Sequence, residues 1–475
     1  MNYRMTSFVL GRMLGVEALV MLIPAIVSAI YGEVTMRSFL ITSAVLVVLF
    51  LVFGRKKPEN TMIYAKEGFV IVALAWILWS VFGALPFYIS GTIPKYIDAL
   101  FETVSGFTTT GSTILTDIAS LPMGMNFWRC LTHWIGGMGV LVFVLVLTSL
   151  DDKNTMHLMR AEVPGPEADK LVPKVRGTAK ILYGMYLALT LIEVGLNLYD
   201  SVIHAFSTAG TGGFNNRNNS VAFYDSAYID GVITVFMILF GINFNMYFLL
   251  LLKNVKAVFK NEEVRAYLGI IAATTIIITF NIMYIYETPL KSFRYAAFQV
   301  ASVITTTGFA TADYNLWPEL SKCLLLMVMI VGACAGSTGG GMKVSRILIL
   351  LKSIKQEVKK TLHPKSVSVV KVNGKRVSGE TMHAVYVYFM AYIFIVIASV
   401  LVVSINNFDF ATTFTGVLTT LNNVGPGIAA VGPVENFAKF SVLSKIVFCF
   451  DMLVGRLEIF PFLMLFSSNL WRRKF

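Results

Sequence analysis

The sequence predicts an all-α polytopic membrane protein with four parallel span–helix–loop–span repeats around a common axis and two extra spans at the N-terminus. Three observations predict it. The chain of 475 residues is 56% hydrophobic and only 14% charged, with mean hydropathy +0.71. A soluble domain carries about 25% charged residues, so this chain has too little charge to solvate a globular surface of its size. A short motif also recurs: Thr108-Thr109-Thr110-Gly111-Ser112, Thr211-Gly212-Gly213-Phe214, Thr305-Thr306-Thr307-Gly308-Phe309 and Asn422-Asn423-Val424-Gly425-Pro426. Its glycines return after about a hundred residues each time, the scale of a supersecondary unit rather than of a small solenoid repeat. Finally, Lys and Arg fall between the apolar runs, in alternate connections.

A span needs about 20 apolar residues. Two open the chain, at 9–31 and 38–53. The first is longer than the apolar core of a signal peptide, carries Glu17 and is closely followed by the second, so it reads as a retained span. With the basic connection at Arg55, Lys56, Lys57 and Lys66, these form an N-terminal unit, 1–66. Repeat one occupies 67–150: a span to residue 89, an amphipathic segment at 96–107, the Thr108 loop and a return span from 125. Residues 151–252 hold a mixed-charge connection and repeat two, with a span at 181–199, a segment at 199–207, the Gly213 loop and a return at 229–252. Residues 253–351 form repeat three, with a span at 267–286, a segment at 293–304, the Gly308 loop and a return at 317–351. Residues 352–475 begin with the most basic connection, eight Lys or Arg within 352–376. Repeat four follows, with a span at 384–405, a segment at 408–421, the Gly425 loop and a return at 440–470.

By the positive-inside rule the basic connections and both termini face the cytoplasm. The Thr/Gly loops then enter from outside, and each repeat starts and ends inside. The repeats therefore run parallel, whereas an inverted-repeat carrier would need an odd number of spans per repeat. Irregular backbone at membrane depth is tolerated where it is buried in protein or lines a water-filled path, and four copies favour the path. A nucleic-acid binder would gather its positive charge in one patch or tail, and this net charge of +12 is instead spread between spans. The four cysteines form no C-x-x-C pair, so neither a disulfide framework nor a zinc site is expected. Five histidines without ligand-spaced clustering argue against a membrane enzyme.

The loop residues suit cation recognition. Four Thr/Gly loops around one axis can replace the hydration shell of K⁺ with backbone carbonyls. Glycine reaches φ > 0 without steric cost, which lets a carbonyl turn inward, and a helix ending at the loop aims its partial negative end at the site. On this reading the amphipathic segments are pore helices around a central pore. The K⁺-binding filter is Thr109, Thr110, Gly111, Thr211, Gly212, Gly213, Thr306, Thr307, Gly308, Asn423, Val424 and Gly425. K⁺ is expected there alone, as permeant ion, with no covalently bound cofactor. In the second loop, counting from Phe206 as the mirror of Phe107 selects Gly210 as the key glycine. The Gly-Phe ending shared with the third loop selects Gly213, which is adopted.

The third return span contains five glycines and two hydroxyl residues between Gly332 and Gly341. Each Gly costs about 1 kcal/mol relative to Ala in a helix, so the span is expected to break there. No strand precedes the run, which argues against a phosphate-cradling loop. A plug beneath the filter is favoured over a packing kink: Gly336, Ser337, Thr338, Gly339, Gly340, Gly341 and Lys343, with Arg456 as partner from repeat four. Asp451, Arg456 and Glu458 lie inside an apolar run, where an ionisable residue is costly; a structural ion pair between helices is the alternative role. Glu17 and Glu193 are expected to be interhelical hydrogen-bond partners, and His133 a packing residue on a Gly-rich face.

On these residues the chain resembles the Trk/Ktr/HKT cation-transporter superfamily over essentially its whole length, most closely the TrkH-type membrane subunits. The filters Thr109-Thr110-Gly111, Thr211-Gly212-Gly213-Phe214, Thr306-Thr307-Gly308-Phe309 and Asn423-Val424-Gly425-Pro426-Gly427 carry the likeness. Ala335-Gly336-Ser337-Thr338-Gly339-Gly340-Gly341 is similar to the family's intramembrane gating loop, and Arg456 to the arginine beneath its filter. The two extra N-terminal spans separate this type from the KtrB type. The resemblance implies K⁺ uptake, with Rb⁺ as surrogate, in the cytoplasmic membrane. It also implies a homodimer and a separate TrkA-like cytoplasmic subunit that binds nucleotides. The alternative on the same fold is a Na⁺-permeable or ion-coupled K⁺ symporter; the Na⁺-permeable plant relatives have Ser where this chain has Gly111.

Overall fold

The computed structural model describes residues 1–139, 184, 186, 187, 197–365 and 368–467. The 151–180 connection, most of the 181–199 span with Glu193, the end of the first return span and the basic C-terminal tail lie outside the described residues. Their regular secondary structure is helical apart from one antiparallel hairpin, Lys371–Val372 with Lys375–Arg376. Among the described residues five helical stretches are long and apolar enough to cross a membrane: Tyr3–Ile30, Met36–Gly54, Lys66–Ile89, Glu262–Ile282 and Gly379–Asn406. Their outer faces carry large apolar side chains such as Leu19, Val52, Phe280, Phe394 and Leu401 in the open, as expected where the surroundings are hydrocarbon.

Each repeat contributes a short inner helix: Tyr96–Phe107, Leu198–Gly210, Pro289–Ile304 and Phe410–Asn422. The expected segments lie largely within them. Local sequence starts three of the four. The Asn197 side chain accepts from the Asp200 N–H (2.8 Å), Thr288 from Lys291 N–H (3.2 Å) ahead of a helix opened by Pro289, and Asp409 from Thr412 N–H (3.0 Å). Each cap satisfies a donor that the first helical turn leaves without a partner.

The packing closes a ring in chain order. The inner helix of repeat two lies on the return helix of repeat one, Met123–Met138. That of repeat three lies on Ala227–Phe240, that of repeat four on Glu319–Val331, and that of repeat one on Val442–Arg456. The N-terminal spans dock outside this ring. Glu33 accepts from the N–H groups of Met123 (2.5 Å) and Gly124 (3.1 Å), so it caps the return helix of repeat one.

Two return spans read as continuous, those of repeats two and four, are broken instead. That of repeat two bends by 94° between Phe240 and Phe244, and that of repeat four gives way after Arg456, where Glu458 and Ile459 have φ 59° and 66°. The physical reason in repeat two is visible: the Gly241 carbonyl accepts from Cys334 N–H (3.0 Å) and Phe244 N–H donates to the Gly336 carbonyl (3.1 Å). The glycine-rich segment of repeat three thus takes the place of intrahelical partners. Glu17 also departs from expectation. It is fully buried, yet neither carboxylate oxygen has a hydrogen-bond partner among the described residues. The hydroxyl that crosses from the neighbouring helix, Ser43, donates to the Ala18 carbonyl (2.9 Å) instead.

Candidate functional site

All four inner helices end in the same six-residue turn. The middle loop residue reaches back five positions: Thr110 N–H to Ser105 O (2.9 Å), Gly212 to Ser207 (2.8 Å), Thr307 to Ser302 (2.8 Å) and Val424 to Thr419 (3.0 Å). This is a Schellman closure, which needs a left-handed residue one position earlier. That residue is Thr109 (φ 55°), Thr211 (54°), Thr306 (60°) and Asn423 (56°). Asn tolerates the conformation, but a β-branched Thr there is an outlier. Such strain costs about 1–3 kcal/mol per residue and persists only where the surroundings over-determine it. Two positions on come Gly111 (φ 81°), Gly213 (81°), Gly308 (80°) and Gly425 (97°). In backbone geometry Gly213 is therefore the counterpart of the other three, and Gly210 is the last residue of its helix.

The four glycines interlock the loops. A Cβ on Gly111 would collide with the carbonyl oxygen of Gly212, one on Gly213 with Thr307 O, one on Gly308 with Val424 O, and one on Gly425 would crowd Thr110 O. Each glycine thus backs onto the middle carbonyl of the next repeat, and the fourth returns to the first. Side chains lock the closing seam: Ser112 Oγ donates to Gly425 O (3.1 Å) and Asn423 Nδ2 to Thr110 Oγ1 (3.0 Å). All four glycines line one cavity of about 690 Å³, open mouth included. Among the described residues no group of three His, Cys, Asp or Glu is placed to hold a metal ion. A cation at these loops would meet backbone carbonyls and hydroxyls.

On the other side of the loops lies the broken segment between Val331 and Val344. Gly340 N–H donates to Thr306 Oγ1 (2.6 Å) and Gly341 N–H to the Asn422 carbonyl (3.0 Å). A Cβ on Gly339 or Gly340 would run into the Thr305 or Asn422 carbonyl. Glycine is what permits backbone to press this closely against the loop starts of repeats three and four. Arg456 fixes the segment from below. Its Nη1 donates to Thr338 O (2.7 Å) and its Nη2 to Gly136 O (2.5 Å) and Gly137 O (2.9 Å). Lys343 Nζ donates to Gly339 O.

A model of the TrkH family, described as a cation transport protein, matches residues 32–473. The chain is 36% identical to the Trk system potassium uptake protein TrkH of Salmonella typhimurium, over 99% of this chain and 100% of that one. It is 35% identical to the TrkH of Escherichia coli K12 over the same shares. The crystal structure of the potassium transporter TrkH from Vibrio parahaemolyticus matches with a TM-score of 0.88 at 32% identity, covering 99% of this chain and 100% of that one. This chain belongs to the TrkH family of cation transport proteins.

As a TrkH-family chain it is an integral membrane transport protein and not an enzyme. The charged run of repeat four divides between separate partners. Glu458 pairs with Arg346, whose guanidinium also stacks on Tyr388 at 4.0 Å, and not with Arg456. Asp451 accepts from Ser399 Oγ (2.7 Å) on the neighbouring span. His133 packs as expected, stacked on Phe214 at 4.1 Å with Nδ1 against Gly106 O (2.7 Å).

Sequence reasoning missed a buried charge pair behind the first two loops of this TrkH-family ring. Arg129 meets Glu102 at 2.7 Å, and both side chains are nearly inaccessible. The guanidinium lies 4.0 Å over the Phe214 ring and donates to Asn215 O (3.3 Å), beyond the second loop. Glu102 also accepts from Thr113 Oγ1 (2.9 Å) and Ile114 N–H (3.0 Å), beyond the first. A buried pair gains only when its remaining lone pairs and protons are also bonded, and here those bonds hold two loop exits together. The partners are 27 positions apart on different helices, so only an expected charge in an apolar segment could have drawn notice.

Proposed function

We propose that this chain takes K⁺ up across the cytoplasmic membrane through the ring of four loops, with the glycine-rich segment of repeat three as an intramembrane gate. The observation that carries the reading is the cyclic contact of each loop glycine with the middle carbonyl of the next repeat. It puts four carbonyl-bearing loops in one closed ring with glycine where a side chain would push them apart. The inner helices direct their C-terminal ends at this ring, which favours a cation. The TrkH relatives are potassium uptake proteins, which agrees with it. Function divides along the chain as an N-terminal pair of spans, 1–66, and four repeats ending near residues 150, 252, 351 and 475. The chain works as a homodimer with a TrkA-like cytoplasmic regulatory subunit. Purified protein in liposomes is expected to take up ⁸⁶Rb⁺, with K⁺ competing and Na⁺ competing far less. Equal competition by both ions would defeat the K⁺ reading.

Orientation follows from charge, with both termini and the basic connections in the cytoplasm. In a Cys323→Ser background, which removes the exposed cysteine, Asn219→Cys is expected to react with an impermeant maleimide added to intact cells. Lys365→Cys is expected to react only after the cells are opened. Asn219 is the better outer probe than Asn218, because Asn218 bridges to Ile118 N–H and Asp117. The reverse labelling pattern would invert the topology.

A further inference from the structure

Glu263 stands in the first turn of the helix Glu262–Ile282, is only 8% exposed, and belongs to none of the motifs above. Its Oε1 accepts from two backbone N–H groups on either side of the glycine-rich segment, Ala335 (2.7 Å) and Ser345 (3.2 Å). The chain between those donors contains Gly339, Gly340 and Gly341, which meet the loop starts of repeats three and four. Ser345 lies in the first turn of the helix Val344–Leu362, where N–H groups lack intrahelical partners and a carboxylate is favourably placed. One oxygen therefore gathers the entry and the exit of the segment at a single point. Arg456 and Lys343 hold its middle through carbonyls; Glu263 alone among these three holds it through N–H groups.

The position of Glu263 is itself fixed from the basic connection. The N–H of the adjacent Glu262 donates to Asn373 Oδ1 in the hairpin (2.7 Å). Lys352 pairs with the Glu262 carboxylate and donates to the Lys371 carbonyl (2.7 Å). A displacement of the hairpin would reach Glu263 through one peptide.

We propose that Glu263 is a positioning residue that latches the glycine-rich segment against the loop ring by holding the Ala335 and Ser345 N–H groups on one carboxylate oxygen. The proposal rests on reading that segment as the gate, and the test separates the two. Cys334, next to the first latched donor, is fully buried, and Cys323 is the exposed cysteine. In purified full-length protein carrying Cys323→Ser, Glu263→Ala is expected to speed modification of Cys334 by a small methanethiosulfonate about tenfold or more, since two hydrogen bonds to a charged acceptor are lost. Glu263→Gln keeps an acceptor oxygen and is expected to stay within about threefold of the parent. Glu263→Asp withdraws the oxygen by one methylene and falls between them, which keeps the test available if the alanine variant does not fold. Cys334 modification unchanged in folded Glu263→Ala or Glu263→Asp protein would overturn the latch, as would a Gln variant as fast as Ala. Basal ⁸⁶Rb⁺ flux is expected to rise with Cys334 reactivity. Faster modification with unchanged flux would leave the latch standing and remove the gate reading.

Discussion

Gly111→Ser is expected to let Na⁺ compete strongly with ⁸⁶Rb⁺ uptake. At φ 81° an L side chain is strained whatever space it finds. Here there is no space, because the new Cβ would meet the Gly212 carbonyl oxygen. Either Gly111 leaves its left-handed conformation or the Gly212 carbonyl moves away. Both change the ring at adjoining repeats, and the strain of about 1–3 kcal/mol is enough to shift a preference between two ions about tenfold. The measurement is ⁸⁶Rb⁺ influx into liposomes at fixed Rb⁺ with rising Na⁺. Folded variant protein whose Na⁺ competition equals the parent's would take Gly111 out of the selective ring. Gly308→Ala, whose Cβ meets Val424 O, tests the same geometry on the opposite side.

Arg456→Ala is expected to raise basal ⁸⁶Rb⁺ flux about tenfold or more in the absence of any cytoplasmic partner, with K⁺ selectivity preserved. Hydrogen bonds from a charged donor contribute about 1.5–3 kcal/mol each, and among the described residues Arg456 makes three of them to backbone carbonyls. One of these holds Thr338 in the glycine-rich segment. Its loss removes the tie from repeat four to the middle of the segment, and the four loop glycines are left untouched. Removing the guanidinium also removes a positive charge that repels a permeant cation, by about 4 kcal/mol at 4 Å and an effective dielectric near 20. Both effects act in the same direction. Deletion of Thr338 to Gly340 should do likewise, because it takes away the part that presses on Thr306. The competing role is a tie between helices, since Gly136 and Gly137 belong to repeat one. A pure tie predicts poor expression or reduced flux. Well-folded variants conducting no better than the parent would leave the tie and end the gate.

Sequence periodicity and residue chemistry determined the class of this protein, the number of repeats and the place of each loop. Those features are local: an apolar run must cross a membrane, Asn197, Thr288 and Asp409 start helices by capping their own first turns, and glycine supplies the positive φ that a loop needs. The places of the inner helices and the break at Gly332–Gly341 were legible for that reason, although the third helix starts four residues earlier than read, at Pro289, and the second runs three residues further, to Gly210. Tertiary structure alone decided which carbonyl each glycine faces, which is a contact between repeats about a hundred residues apart. It also decided that Glu458 pairs with Arg346 while Arg456 turns to Thr338, Gly136 and Gly137. The second return span reads as a continuous apolar run, yet it bends because Cys334 and Gly336 from another repeat bond its backbone. Glu263, Glu102 and Arg129 show no motif, since their partners are backbone groups and charges brought together by the ring. Glu17 shows the converse: its sequence context suggests a hydrogen-bond partner, and packing supplies none among the described residues. Local rules act through a residue's own backbone and its nearest turns, so they are written in sequence. Contacts across the ring depend on how four repeats close on one another, and that geometry exists only once the chain has folded.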